Sequence, residues 1–210
     1  MLPCGDRALL VELPDEATRR AWDAALRVAR RSAPLAGAVV EQVPAARTVL
    51  VRVHDASQLA LVQDALTSID AGASHAHVAT QDDVLVIPVR YDGDDLATVA
   101  DLFGLSMEGV VSWHTGDLWR LDFAGFSAGF GYLLQDNVID PRQVPRLESP
   151  RVRVPAGSVA LAGAWTGIYP TATSGGWQLI GHTEMPMWDA ARQPPALLTP
   201  GRAIRFEAVR

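Results

Sequence analysis

The residues best able to do chemistry gather in the second half of the chain. The run "GFSAGFGY" sets Gly125, Gly129 and Gly131 between Phe126, Phe130 and Tyr132. Glycines among aromatics can bring backbone amides to the lip of a pocket, where they hold a carbonyl or an anion. The same pattern also suits a tight turn whose rings fill a core. Its spacing is not that of a dinucleotide fingerprint. Further on, "TSGGWQLIGHT" places Gly175 and Gly176 before Trp177 and Gln178. Glycine weakens a strand and marks a bend or a close approach. At such a bend the Gln178 amide can orient a carbonyl or a water, with the indole as an apolar wall. His114 falls at the end of an expected helix, where carbonyls would favour its protonated form and acid–base work near neutrality. In "RVRVPAGSVALAG", Arg151 and Arg153 stand before Gly157, and arginine suits a carboxylate or phosphate clamp, or simply a solvated strand edge. Ser158 lacks the setting of a hydrolase nucleophile. His75 and His77 lie two apart without an evident third ligand, so no metal site is expected.

Composition narrows the field. All 18 basic residues are arginine, so the chain has no lysine for a Schiff base, a biotin linkage or a P-loop. A net charge of −6 argues against a general nucleic-acid binder. One cysteine, Cys4, rules out an internal disulfide and is expected as a small buried residue. The opening "MLPCGDRALL" does not read as a signal peptide, and no apolar run reaches the ~20 residues of a membrane span. The expectation is a soluble, cytoplasmic protein.

Local pattern predicts the elements that must position these groups. Arg7–Leu13 reads as a strand and Asp15–Ser32 as an amphipathic helix, with Trp22 and Leu26 inward and the arginines outward. Ala38–Val43 and Thr48–Val53 suggest a hairpin, Asp55 caps a second helix, and Val84–Val89 is a further strand. The order β-α-β-β-α-β is the split unit of ferredoxin-like domains. The segment Asp70–Thr80 reads as a loop. After Asp83 two short helices follow, one ended by Gly104 and one capped by Ser106. From Leu118 onward, short β-like runs broken by Gly and Pro predict a small barrel or sandwich.

Longer motifs carry a resemblance. "HTGDLWRLDFAGFSAGFGYLL", "PRLESPRVRVPAGSVALAGAWTGIYP" and "SGGWQLIGHT" resemble one family, which unites the 5-oxoprolinase B subunit, allophanate hydrolase subunit 1 and KipI-like proteins. "GDRALLVEL", "IPVRYDGDDLATVA" and "PALLTPGRAIRFEAV" extend the likeness over the whole chain. The resemblance implies an α+β protein: a ferredoxin-like N-terminal domain over residues 1–82 and a cyclophilin-like β-barrel over residues 83–210. It implies a hydrolase subunit, inactive alone, of a complex that opens 5-oxoproline to glutamate with ATP, handled with Mg²⁺. The implied partner is the C subunit, a KipA-like protein of carboxyltransferase fold, joined by a third subunit. One branch instead inhibits histidine kinase autophosphorylation, and another reading is a carboxyltransferase-like subunit acting on a urea or allophanate amide. In a lysine-free chain, any catalytic amine or lysine clamp on ATP must come from the partner. The expected catalytic residues are His114 and Gln178. Substrate would be held by Gly125, Phe126, Gly129, Phe130, Tyr132, Arg153, Gly157, Gly175, Gly176, Trp177 and Thr166 of "WTGIYP". The chain departs from the family pattern at Ala128, often Pro, at His182, often Arg, and at Trp165, often Gln, where an indole would reshape a pocket.

Overall fold

The computed structural model describes residues 1–70, 84–136, 138, 140–200 and 202–210. The chain divides into two compact units, Met1–Val78 and Ala79–Arg210. The expected loop at Asp70–Thr80, apart from Asp70 itself, the boundary at residue 83 and the pair His75 and His77 lie outside the described residues.

The first unit contains strands β1 (Leu2–Pro3), β2 (Ala8–Glu12), β3 (Val39–Pro44) and β4 (Thr48–Val53), with helices α1 (Glu16–Ala29) and α2 (Leu59–Thr67). Asp15 starts α1 by accepting a 2.7 Å hydrogen bond from the Thr18 amide, satisfying one of the helix's free donors. Trp22 and Leu26 of α1 and Val62 and Leu66 of α2 pack with alternating strand residues Leu9, Val11, Val49, Val51 and Val53 in one core. The arginines of α1 do not all face outward. Arg19 is 1% exposed, its Nε donating to the Ala46 carbonyl, because its stem crosses the apolar face and carries the charge to a backbone acceptor. Cys4 is also corrected: it is exposed, lying just past the two-residue edge strand β1.

The sheet order is β1-β2-β4-β3. The expected last strand of this unit, β5 (Val84–Val89), pairs instead with β13 (Ala203–Ala208) in parallel, in the second unit. Element order alone carries no information about which sheet a strand joins, and the place beside β2 is taken by β1.

The second unit adds helices α3 (Leu96–Phe103) and α4 (Met107–Gly116) and strands β6 (Trp119–Ala124), β7 (Gly131–Gln135), β8 (Arg151–Val154), β9 (Ser158–Ala162), β10 (Trp165–Ile168), β11 (Thr173–Gly175) and β12 (Gln178–His182). Gly104, at φ +64°, ends α3 in the left-handed conformation, and Ser106 accepts from the Gly109 amide to start α4. Seven strands form one sheet in the order β12-β9-β10-β7-β6-β13-β5. Its two ends meet at one bridge, where Arg90 and His182 exchange amide–carbonyl bonds of 2.9 and 2.8 Å. The sheet is therefore a nearly closed barrel. β8 and β11 form a separate two-stranded ribbon. No helix among the described residues is long and apolar enough to cross a membrane.

One cluster takes Ile87, Trp119, Leu133, Leu161, Ile168, Ile180 and Phe206, a side chain from each strand of the seven-stranded sheet, together with Val99 of α3 and Val110 of α4. A cluster fed by every strand of a sheet that closes on itself is its interior. The opposite faces of the same strands carry Ala160, Ala162 and Leu179, packed with Phe130, Tyr169, Trp177 and Val154 of the ribbon. These two sides decide where each candidate residue can act.

Candidate functional site

His114 belongs to the interior. It has no exposed surface, stacks on Phe206 at 4.2 Å and tilts against Trp119 at 5.0 Å. Its Nδ1 lies 2.6 Å from the Tyr91 hydroxyl and its Nε2 3.0 Å from Thr166 Oγ1, while Thr166 donates to the Ala160 carbonyl at 3.2 Å. One arrangement satisfies the whole chain of bonds: the Tyr91 hydroxyl donates to Nδ1, Nε2–H donates to Thr166, and Thr166 donates onward. The imidazole is then neutral. Burial pushes its pKa down to about 3, and the same cause raises that of Tyr91 above the usual tyrosine range. The protonated histidine expected from the helix end is thus corrected. Desolvation inside the barrel outweighs the pull of the α4 carbonyls, one of which is itself engaged by Trp119 Nε1 at 2.9 Å.

Thr166 and Gln178 lie on the same side of the sheet as His114. Both are register partners of Leu161, an interior residue, and directly paired residues share a face. Gln178 Nε2 donates to the Pro145 carbonyl at 3.1 Å, and its buried Oε1 has no partner among the described residues.

The other candidates assemble across the sheet in an aromatic cluster, packed on the side away from the barrel interior. Phe130 meets Trp177 edge-on at 5.5 Å, Tyr169 at 5.3 Å and Tyr132 at 5.1 Å. Tyr132 stacks on Phe123 at 4.2 Å, and Trp165 stands edge-on to Phe123 at 5.8 Å. The floor is small by necessity: a Cβ at Gly167 would come within 2.9 Å of Phe130 and 3.1 Å of Trp177. The Gly175 bend has a similar cause, since a side chain there would strike the Tyr169 ring. Gly176 sits beside Pro150. What approaches the Gly-Gly bend is therefore the protein's own aromatic wall. Gly157 sits at φ +82°. Its amide donates to Tyr169 and its carbonyl accepts from Thr183, so closely that a side chain would collide with the Thr183 carbonyl.

The "GFSAGFGY" turn spends part of its backbone on itself: Gly125 donates to Phe130, Ser127 to Gly125 and Phe130 to Ser127. The amides of Phe126, Ala128 and Gly129 have no protein acceptor among the described residues. Phe126 is 61% exposed and holds φ at +71°, a conformation that strains a bulky side chain. Its ring still reaches Phe130 at 5.4 Å. Phe126→Gly is expected to raise stability by about 1 kcal/mol through relief of that strain. A lower urea midpoint in the variant would show that ring packing outweighs it.

Arg153 is exposed on β8 beside the exposed Val152, and it makes no hydrogen bond or ion pair with the described residues. Arg151 binds Asp95 at 2.7 Å. Sequence reasoning missed Asp122, which accepts from Trp165 Nε1 at 3.0 Å, and missed Phe123 and Tyr169 as walls. Tyr169 stood unremarked in the "TGIYP" motif.

A family model described as carboxyltransferase domain, subdomain C and D, matches residues 1–198. The chain belongs to this family. It is similar to the B subunit of 5-oxoprolinase from Escherichia coli O157:H7, 37% identical over 206 residues that span 96% of this chain and 92% of that protein. The crystal structure of TTHA0988 superposes with a TM-score of 0.73 at 35% identity, over 97% of this chain and 40% of the longer one. The Kluyveromyces lactis urea amidolyase shares the fold, with a TM-score of 0.72 at 19% identity, over 99% of this chain but 14% of that enzyme. Trp165 packs against the aromatic cluster. There the indole bonds Asp122 and walls Tyr132 at 6.0 Å.

Proposed function

We propose that the chain is the B subunit of an ATP-dependent 5-oxoprolinase, opening the lactam of 5-oxoproline to glutamate together with a KipA-like C subunit and a third subunit. The observation that carries this reading is the 37% identity to a protein named as the B subunit of 5-oxoprolinase, over nearly the full length of both chains. A lactam carbonyl is a poor electrophile, and phosphorylating its oxygen would supply activation and driving force. Donors aimed at the developing negative charge would then lower the barrier. The unpartnered amides of Phe126, Ala128 and Gly129 suit that task, beside walls formed by Phe130, Tyr132 and Trp177. His114, Thr166 and Gln178 act on this reading from the other side of the sheet, by holding the strands that carry the aromatic cluster.

The need for a partner has two supports. In TTHA0988 and in the urea amidolyase the matched part is a minor share of a longer polypeptide, so further domains accompany it there. The absence of lysine means that an amine on the ATP phosphates comes from elsewhere. ATP, with Mg²⁺, enters on this reading as a substrate of the whole complex, in the cytoplasm. With this reading go a ferredoxin-like first domain, residues 1–82, and a cyclophilin-like barrel, residues 83–210. The sheet order supports the first, with β1 standing beside β2 where the split unit sets its last strand.

Phosphate release with ATP and 5-oxoproline tests the proposal. Turnover is expected when all three subunits are combined and absent from this chain alone. A complete mixture that stays silent overturns it.

A further inference from the structure

The long connection from β12 to β13 folds back on itself. Trp188 bridges to Ala196, the Leu197 amide donates to the Met187 carbonyl at 2.9 Å, and the Asp189 amide donates to Pro195 at 3.0 Å. Its returning limb forms a cleft of about 360 Å³, within the range of small-molecule pockets, about 300–1,000 Å³. Arg192, Gln193, Thr199 and Arg202 line the cleft, beside the apolar Pro194 and Leu197. No aspartate or glutamate is among its lining residues. Two guanidiniums thus share one small cleft in a chain whose net charge is −6.

The cleft is fixed in place by one of those arginines. Arg192 Nη2 donates to the carbonyls of Pro195 at 2.8 Å and Met187 at 3.3 Å, and both Nη atoms reach Pro186 at 3.5 Å. These acceptors are neutral, so they hold the head without cancelling its charge, and Arg192 forms no ion pair with the described residues. The same carbonyl of Met187 backs the "GFSAGFGY" turn, since a Cβ at Gly129 would come within 3.1 Å of it. On the other wall the Arg202 amide donates to the Thr199 carbonyl at 3.3 Å, a short turn that sets hydroxyl and guanidinium side by side. The Thr199 hydroxyl and the Gln193 amide make no hydrogen bond with the described residues. Uncommitted neutral donors and two arginines, with no acid among them, suit a ligand that brings its own negative oxygens.

We propose that this cleft is an oxyanion-binding site, which takes a phosphoryl or carboxylate group of a small molecule. Arg202, Thr199 and Gln193 bind the oxygens, and Arg192 supplies a second, fixed positive charge. The assignment stands apart from the activity proposed above: a silent three-subunit mixture would remove that activity and leave the cleft to be judged by binding alone.

Isothermal titration calorimetry on the purified full chain tests this, with tripolyphosphate as the phosphoryl probe and 5-oxoproline as the carboxylate probe. One of them is expected to bind one to one, and which one does so names the source of the oxyanion. Arg202→Gln is expected to weaken that binding at least tenfold, with Arg202→Lys between, and Thr199→Val to weaken it severalfold. Arg192 is left intact because it also braces the loop. Near-ultraviolet circular dichroism, sensitive to Trp188 in this loop, checks that each variant keeps its fold, and Thr199→Val decides if Arg202→Gln does not. Absence of binding by both probes, or an affinity unchanged in the folded variants, would overturn the assignment.

Discussion

His114→Ala is expected to lower unfolding free energy by roughly 3–5 kcal/mol at pH 7, the scale seen for truncating a fully buried ring. The ring stacks on Phe206 and Trp119, and its loss also strands the Tyr91 and Thr166 hydroxyls. A second signature separates this residue from an ordinary core side chain. Its pKa is near 3 when folded, against about 6.5 for an exposed histidine. Between those values the unfolded chain holds a proton that the folded chain refuses, so stability falls as pH drops. The contribution is complete above about pH 6.5 and declines by about 1.4 kcal/mol per pH unit below it. From pH 7 to pH 5, His114 should account for about 2 kcal/mol of lost stability. Urea unfolding at both pH values checks this: the wild-type loss should exceed that of the variant by that amount. Parallel pH dependences would mean that the imidazole is not held neutral.

A comparable loss, about 3 kcal/mol or more, is expected for Asp95→Ala. Asp95 is 8% exposed at the start of α3. One oxygen takes the Arg151 guanidinium at 2.7 Å, the other takes the Leu179 amide at 2.6 Å, and its own amide donates to the Leu179 carbonyl at 2.9 Å. A single carboxylate thus ties helix, ribbon and barrel edge together. Removing it leaves a half-buried guanidinium without its counter-charge, which costs more than the bond itself was worth. Asp95→Ala with Arg151→Met should therefore recover part of the loss. A double variant less stable than Asp95→Ala would refute that account, and equilibrium unfolding of the two settles it.

What the sequence made legible follows from how local each signal is. Asp15, Ser106 and Gly104 mark helix ends through contacts within a few residues, and those ends are where expected. The hairpin β3–β4 was similarly readable from its turn and alternating pattern. Strand β5 was recognisable as a strand, but its partner β13 lies more than a hundred residues on, and no local pattern announces such a pairing. The aromatic cluster divides the same way. "GFSAGFGY" and "SGGWQ" disclosed rings and bends, yet not that Phe123 and Tyr169 complete the wall. His114 was read from its helix end, while its state is set by Phe206 and Thr166, far along the chain.

The single bridge between Arg90 and His182 has a bearing on solubility. A side chain at Gly181 would run into the Arg90 carbonyl, so the two strand ends can meet only because that residue is glycine. Where they meet, each edge hides the other's unpaired amides and carbonyls from foreign strands. Elsewhere the ring is joined by ladders of two to six paired positions, but here it is fastened by one bridge of two hydrogen bonds. Loosening this clasp would leave most of the core intact while uncovering two raw edges, so the protein would begin to aggregate before it began to unfold.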